Sequence, residues 1–377
     1  MWAPDGRTIA FTSTAAAGDL EKPAPNTANK DRTSDVKVVT SAVYRANGNP
    51  AYVDQDRHSH IWTTAVSDGG DRPAPAQVTR GEFNEGGPVW TRDGSAIYFT
   101  SDRVADSYYQ PRDADLYMIP AAGGTVTRVA SIDGTIGNVS VSPDGKRLAF
   151  VGSENGTPVR SYSQPDLWVV DAAPDSTPKN LTAAYDFDIN GGIGGDQAAP
   201  RGEQPKPIVW TSDGLSLIVV SGEHGSANFK RVSIASGKIE PLTSGLHDIV
   251  GFTATPDGST IAATLSTQTS IGDIAIVRAS GGAAPVPITR VNEDLFRDIT
   301  QSEPEELWYT SFDGKKVQGW ILKPPGFDPS RKYPLILEIH GGPHAAYGNT
   351  YTHEFMWMAA RGYVVLFTNP RGSTTYG

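Results

Sequence analysis

Five stretches in the first part of the chain repeat one arrangement of apolar and polar positions. In each, an aromatic or apolar residue is followed by two further residues, by Asp-Gly, and then by a short apolar segment. Asp and Gly readily adopt the backbone conformations of a tight reversal, so each stretch predicts a hairpin whose apolar positions pack inward. The turns are Asp5-Gly6, Asp93-Gly94, Asp144-Gly145, Asp213-Gly214 and Asp257-Gly258.

A second pair of short apolar segments follows each predicted hairpin. Four strands per unit, repeated at this spacing, are typical of β-propeller blades, which take about 40 to 45 residues when their loops are short. The sequence therefore predicts a mainly β chain with a β-propeller domain of at least five blades over residues 1–300. The first blade is predicted to lack its first strand. The extra stretch from Val36 to Val53 is predicted to enlarge this blade, and two separate blades are the alternative.

The pattern changes at about Glu305. A hairpin around Asp313-Gly314 is followed by Leu335–Ile339, whose nearly continuous Leu and Ile predict a strand covered on both faces of a mostly parallel sheet. Phe355, Met358 and Ala359 recur at helical spacing, and another buried strand is predicted over 363–368. Antiparallel pair, strand, helix and strand are the entry to an α/β-hydrolase sheet, so residues 301–377 are predicted to be the N-terminal portion of such a domain.

His340-Gly341-Gly342-Pro343, directly after the apolar strand, is the candidate for catalysis. Acyl transfer needs a backbone N–H aimed at the oxyanion from the loop at this position, and glycine lets the backbone approach the substrate closely. Gly342 is the predicted oxyanion donor, and a Gly-Gly-Pro turn without catalytic part is the alternative. No serine has glycine two residues before and two residues after it. The nucleophile and its triad partners are therefore predicted to be absent from this chain, which alone should be inactive.

The other polar residues near this motif favour structural roles. In α/β-hydrolases the triad histidine follows the nucleophile along the chain, so His340 and His344 are predicted to be buried or to orient loops. Ser373 is predicted to be a turn hydroxyl, and Arg371 is either an ion-pair partner or a solvated turn residue.

Two clusters elsewhere suggest ligands only weakly. The glycines between Tyr185 and Pro207 are not followed by a helix start that could hold a phosphate. His58 and His60 lack an evident third metal ligand and are predicted to lie on a blade surface. No metal and no cofactor are predicted.

Composition narrows the partners. The 377 residues carry a net charge of −10, and the sequence has no Lys/Arg-rich stretch, so nucleic acid is not a predicted partner. The chain has no cysteine, which excludes disulfides and thiolate zinc sites. No apolar run reaches the roughly 18 residues of a membrane span, so a soluble protein is predicted. Cytoplasm and periplasm both stay open, and the oligomeric state is not indicated.

The Asp-Gly repeats followed by His340-Gly341-Gly342-Pro343 and by residues 369–373 (Asn-Pro-Arg-Gly-Ser) resemble the prolyl oligopeptidase family of serine peptidases. The likeness is to its acylaminoacyl-peptidase and dipeptidyl-peptidase branches. The resemblance implies a propeller that admits short or unstructured peptides to a Ser, Asp and His site, and it implies that this chain is truncated before the catalytic serine. Only Gly342 carries over residue by residue. A non-enzymatic binding propeller of the TolB type with a vestigial hydrolase segment is the alternative.

Overall fold

The computed structural model describes residues 1–19, 36, 38–40, 42–45, 52–54, 56–67, 69, 73–196, 206–281 and 284–376. The described chain is mainly β, with two short α-helices. It divides into two compact units, one of residues 1–163 and 170–178 and the other of residues 164–169 and 179–377. The last two Asp-Gly repeats thus share a unit with the C-terminal segment, and the predicted domain boundary at residues 300/301 stays a prediction.

The strands of the first unit follow the order of the repeats. The first repeat forms a three-stranded antiparallel sheet, and Trp2 forms an isolated antiparallel bridge with Ile9 in its first strand. Residues 37, 41 and 46–51 of the extra stretch predicted from Val36 to Val53 lie outside the described residues. The strands of the first two repeats are β1 (Thr8–Ser13), β2 (His60–Ala65), β3 (Ala76–Gln77), β4 (Glu85–Trp90), β5 (Ala96–Asp102), β6 (Ala114–Pro120) and β7 (Thr127–Ala130).

The third to fifth repeats continue the antiparallel pairing. In the fourth and in the fifth repeat, four consecutive strands form one four-stranded sheet. The strands are β8 (Gly134–Val141), β9 (Arg147–Glu154), β10 (Asp166–Asp171), β11 (Lys179–Asn180), β12 (Val209–Trp210), β13 (Ser216–Glu223), β14 (Ser226–Ser233), β15 (Ile239–Pro241), β16 (Asp248–Ala254), β17 (Thr260–Thr267), β18 (Ser270–Arg278) and β19 (Val286–Pro287). These four-stranded sheets match predicted blades, whereas their closure into a propeller stays a prediction.

Apolar side chains pack between successive sheets. One cluster joins the first two repeats and includes Ile61, Trp90 and Phe99, and another joins the fourth and fifth repeats and includes Phe229 and Phe252. In these two pairs of repeats, apolar side chains of one repeat are therefore buried against those of the other.

The turn between the first two strands of a repeat is held by the aspartate. Asp93 accepts hydrogen bonds from the Thr91 hydroxyl (2.7 Å) and from the Ser95 N–H (3.0 Å), and Gly94 has φ of 73°. Asp144, Asp213 and Asp257 accept the equivalent pair of bonds. The aspartate thus satisfies the donors of the reversal, while glycine supplies the left-handed backbone.

The C-terminal segment forms a separate four-stranded sheet. Its strands are β20 (Glu305–Thr310), β21 (Lys316–Leu322), β22 (Leu335–Ile339) and β23 (Val364–Asn369). Helix α2 (His353–Ala360) lies between β22 and β23 in sequence, and helix α1 (Glu293–Arg297) precedes β20. The sheet order is β20-β21-β23-β22, with β22 and β23 parallel and the other neighbours antiparallel. This agrees with the predicted order of hairpin, strand, helix and strand.

Strand β22 departs from its prediction as a strand covered on both faces. It lies at the edge of the four-stranded sheet, where Leu335, Leu337 and Ile339 are 60%, 52% and 67% exposed. Helix α2 covers only the other face, where Phe355 packs against the apolar side chains of β21 and β23. The apolar sequence of β22 indicates that both faces of the strand could be buried, but no described residue covers the face of Leu335, Leu337 and Ile339.

No helix in the described part of the chain combines the length and the apolar character that crossing a membrane requires.

We expect replacement of Asp93 by Ala to destabilise the fold in a pH-dependent way. The hydrogen bonds from Thr91 and Ser95 lower the pKa of Asp93 from 3.8 to about 2. A carboxylate with a lowered native pKa adds stability above its unfolded pKa, and that contribution is lost as the pH falls towards the native value. The urea midpoint of Asp93→Ala should therefore lie below that of the wild type at pH 7, and the gap should narrow between pH 4 and pH 2. Asp93→Asn, which keeps the acceptor oxygen, is the control, and a gap that is constant with pH would contradict the expectation.

Substitution of Gly348 by Ala is expected to destabilise the second unit. A Cβ on Gly348 would overlap the carbonyl oxygen of Gly225, and backbone cannot move aside as a flexible side chain can. Overpacking of this kind costs about 1–3 kcal/mol in the free energy of unfolding. Gly341→Ala is the matched control, because a Cβ there meets nothing within 4 Å. Urea denaturation measures both, and equal stabilities of the two variants would refute the close approach.

Candidate active site

The parallel pairing of β22 with β23 brings two loops together at one edge of the sheet. Residues 335–339 of β22 pair with residues 364–368 of β23. The loops that follow the two strands therefore leave the sheet side by side. The loop after β22, residues 340–345, is called here the Gly342 loop. The Thr374 N–H in the loop after β23 donates to the Ala345 carbonyl oxygen over 3.0 Å, which ties the two loops to each other.

Gly342 lies exposed in the Gly342 loop, three residues beyond the end of β22. Its φ of 129° falls in a region that L side chains rarely adopt, and an added Cβ would come within 2.6 Å of the His344 nitrogen. Among the described residues, no acceptor takes a hydrogen bond from the Gly342 N–H. The structure thus shows an exposed glycine with an unengaged donor, and the oxyanion role stays a prediction.

His340 and Ser373 join the two loops. The His340 Nε2 atom lies 2.8 Å from the Ser373 hydroxyl oxygen, and that hydroxyl donates to the Pro370 carbonyl over 2.6 Å. The His340 Nδ1 atom lies 3.1 Å from the Gly341 carbonyl oxygen, and the tautomer of the ring sets which nitrogen donates. His344 contacts the Gly372 carbonyl at 3.3 Å. Both histidines therefore orient loops, and Ser373 is a turn hydroxyl, as the sequence predicted.

Arg371 forms an ion pair with the aspartate of the β20–β21 turn. Its Nε donates to Asp313 Oδ2 over 2.7 Å, a second guanidinium nitrogen contacts Oδ1, and the group lies over the Phe312 ring at 5.2 Å. Hydrogen bonding from Arg371 lowers the pKa of Asp313. The structure decides between the two predictions for Arg371 in favour of the ion pair. Because both side chains are partly exposed, the pair contributes more to geometry than to stability.

Asn369, the last residue of β23, anchors the start of the second loop. Its side-chain oxygen accepts from the Tyr347 N–H, and its amide nitrogen donates to the Tyr347 carbonyl, both over 2.8 Å. The amide nitrogen also donates to the Tyr376 hydroxyl over 2.6 Å. The sequence did not predict this role. The signal was a buried polar residue at a strand end followed by proline, and it cannot name a partner 22 residues away.

The glycine-rich loop and the histidine pair His58 and His60 contact other parts of the protein. Gly194 donates its N–H to the Ala346 carbonyl over 2.7 Å, so the glycine-rich loop approaches protein backbone. The prediction that His58 and His60 lie on a blade surface was wrong for His60, which is buried with Nδ1 2.8 Å from Glu85. Within the described ranges, no group of three or more His, Asp or Glu residues is placed to hold a metal ion.

Comparison with known proteins shows which proteins this chain is similar to. No protein-family model matches the chain. The uncharacterised peptidase YuxL of Bacillus subtilis is 29% identical over 428 aligned positions, which cover all of this chain and 62% of that protein. Dipeptidyl-peptidase 5 of Porphyromonas gingivalis is 26% identical over 76% of this chain and 40% of its own length. The chain therefore spans about half the length of these curated relatives.

Solved structures show the same fold over the whole chain. Acylaminoacyl peptidase of Pyrococcus horikoshii superimposes with a TM-score of 0.70 at 18% identity, covering 100% of this chain and 51% of that one. A putative dipeptidyl aminopeptidase IV of Bacteroides ovatus gives a TM-score of 0.62 at 16% identity, again over 100% of this chain. At such identities the likeness concerns the fold alone.

The chain is similar over its whole length to a curated peptidase and to solved peptidase structures. These similarities support the resemblance to the prolyl oligopeptidase family that the sequence motifs indicate.

Proposed function

We propose that this chain forms part of a serine peptidase that hydrolyses peptide bonds in oligopeptides, with the Gly342 N–H as one donor of the oxyanion hole. One observation carries the proposal: the parallel pair β22–β23 presents an exposed glycine N–H, free of any acceptor among the described residues, at the carboxyl edge of the sheet. α/β-Hydrolases place one of the two oxyanion donors in the loop at this position.

The proposed chemistry assigns this chain a single electrostatic task. When a serine attacks a peptide carbonyl, negative charge develops on the carbonyl oxygen, and a fixed N–H stabilises it without reorganisation. Glycine fits the task because its backbone can approach the substrate and can hold φ near 129°. The second donor belongs to the residue after the nucleophile. No Gly-x-Ser-x-Gly motif occurs in this sequence, so the nucleophile and its partners have to come from further chain.

The proposed substrates are peptides. The relatives include proteins named for dipeptide release, and one structure of the same fold holds acylaminoacyl peptidase with a peptide chloromethyl ketone. Closure of the Asp-Gly sheets into a propeller, as the resemblance implies, would limit entry to short or unstructured peptides.

The 377-residue chain by itself is expected to be inert towards peptide p-nitroanilides. It offers an oxyanion donor but no serine on a strained strand-to-helix turn, so no acyl-enzyme can form. Release of p-nitroaniline by the purified chain is the measurement. Hydrolysis that persists through successive purification steps and is blocked by a serine-directed inhibitor would contradict this part of the proposal.

In a natural protein that carries this sequence together with the nucleophile, Gly342→Ala is expected to lower kcat by roughly 10²–10³, the usual cost of losing one oxyanion donor. Alanine disfavours φ near 129° and would turn the N–H away. Gly341→Ala, in the same loop but with open space around its Cβ, should retain nearly full turnover. Steady-state kinetics on a dipeptide or acylated-peptide anilide measure both. Equal turnover of the two variants would remove Gly342 from the mechanism, and a wild-type protein that binds peptides without cleaving them would favour the binding-propeller alternative.

A further inference from the structure

The glycine-rich loop of the fourth repeat lies against the segment that connects the Gly342 loop to helix α2. This connecting segment comprises residues 346–352. Gly194 donates its N–H to the Ala346 carbonyl, and a Cβ on Gly195 would meet the Thr350 side chain at 3.0 Å and the Tyr351 carbonyl at 3.1 Å. Neither glycine has a left-handed φ. Close approach of two backbones, and not turn geometry, therefore explains why glycine occupies these two positions.

Asp196, the next residue of this loop, caps helix α2 from outside the helix. The N–H groups of His353 and Glu354 donate to its two carboxylate oxygens over 2.9 and 2.7 Å. The first turn of a helix leaves its N–H groups without internal partners, and Thr352 at the N-cap position makes no side-chain capping bond. A carboxylate 157 residues away along the chain supplies the missing acceptor and the favourable charge.

The connecting segment has no regular secondary structure, so contacts with other elements fix its path. The Asn349 N–H donates to the Gly225 carbonyl over 2.7 Å, and the Tyr351 N–H donates to the Ser266 hydroxyl over 3.2 Å. Gly225 belongs to the turn between β13 and β14, and Ser266 lies in β17. The sheets of the fourth and fifth repeats thus hold the middle of the segment, and Asp196 holds the end that leads into α2.

We propose that the loop of residues 191–196, through Asp196 in particular, is a positioning element for the Gly342 N–H. The connecting segment joins the capped end of α2 to the Gly342 loop, so its path sets the direction of that loop. The inference rests on the proposed function. Asp196 does not touch the reacting atoms; it acts through the segment that carries the donor. Oxyanion stabilisation requires the donor to be held in place before reaction, and small misplacements are costly.

Amide hydrogen exchange on the 377-residue chain tests the positioning role without any catalysis. Asp196→Ala is expected to raise exchange about tenfold in the peptides that cover 342–354, a factor within the usual cost of losing a helix cap. Asp196→Asn keeps an acceptor oxygen and should stay close to the wild type. Asp298→Ala is the control, because this exposed carboxylate of the same compact unit makes no side-chain hydrogen bond among the described residues. Wild-type exchange over 342–354 in Asp196→Ala would overturn the proposal.

Kinetics of the natural peptidase that carries this sequence test the consequence for the donor. Asp196→Ala is expected to lower kcat about tenfold with KM within twofold, and to raise the inhibition constant of a peptide boronate by the same factor, since the boronate needs the oxyanion hole. Asp196→Asn should restore most of both. Faster exchange with unchanged kcat and boronate inhibition would overturn the link to Gly342. If the wild type hydrolyses no peptide, the proposed function fails, and the exchange measurement still decides whether Asp196 positions the loop.

Discussion

The parallel pairing of β22 with β23 is the constraint on which the candidate site depends. Two parallel neighbours end at the same edge of a sheet, so the loop that carries Gly342 and the loop that carries Arg371 and Ser373 must lie side by side. Hydrogen bonds between Thr374 and Ala345 and between His340 and Ser373 then lock the two loops together. Any other register would send the His-Gly-Gly-Pro motif to a place without these partners.

The Asp-Gly turns solve a different problem, the reversal of each repeat, with local chemistry only. An aspartate accepts a hydroxyl hydrogen and a backbone N–H, and glycine adopts the left-handed conformation. In the C-terminal hairpin, Asp313 accepts the Lys315 N–H, Gly314 has a positive φ, and the aspartate is also the ion-pair partner of Arg371. Asp-Gly turns thus reverse the chain in the repeats and also next to the candidate active site.

The second compact unit shows how elements distant in sequence share a task. Gly225 and Gly348 approach so closely that neither tolerates a side chain, and Asn349 spans the contact with bonds to the Gly225 carbonyl and the Ser226 hydroxyl. The sheets of the fourth and fifth repeats therefore support the connecting segment. This arrangement gives the repeats a structural part in shaping the Gly342 loop, in addition to any control of substrate entry that a closed propeller would provide.

The sequence by itself determined the features that depend on neighbours along the chain. It predicted the five hairpins, the order of the C-terminal elements and the turn role of Ser373, because turn chemistry and apolar periodicity act over a few residues. Only the tertiary structure decided that β22 lies at the edge of its sheet and that His60 is buried against Glu85. The same holds for the hydrogen bonds between Asn369 and Tyr347 and for the capping of helix α2 by Asp196, 157 residues away. These contacts join residues far apart in sequence, and a carboxylate, an amide or a glycine is compatible with many partners until the fold brings one of them within reach.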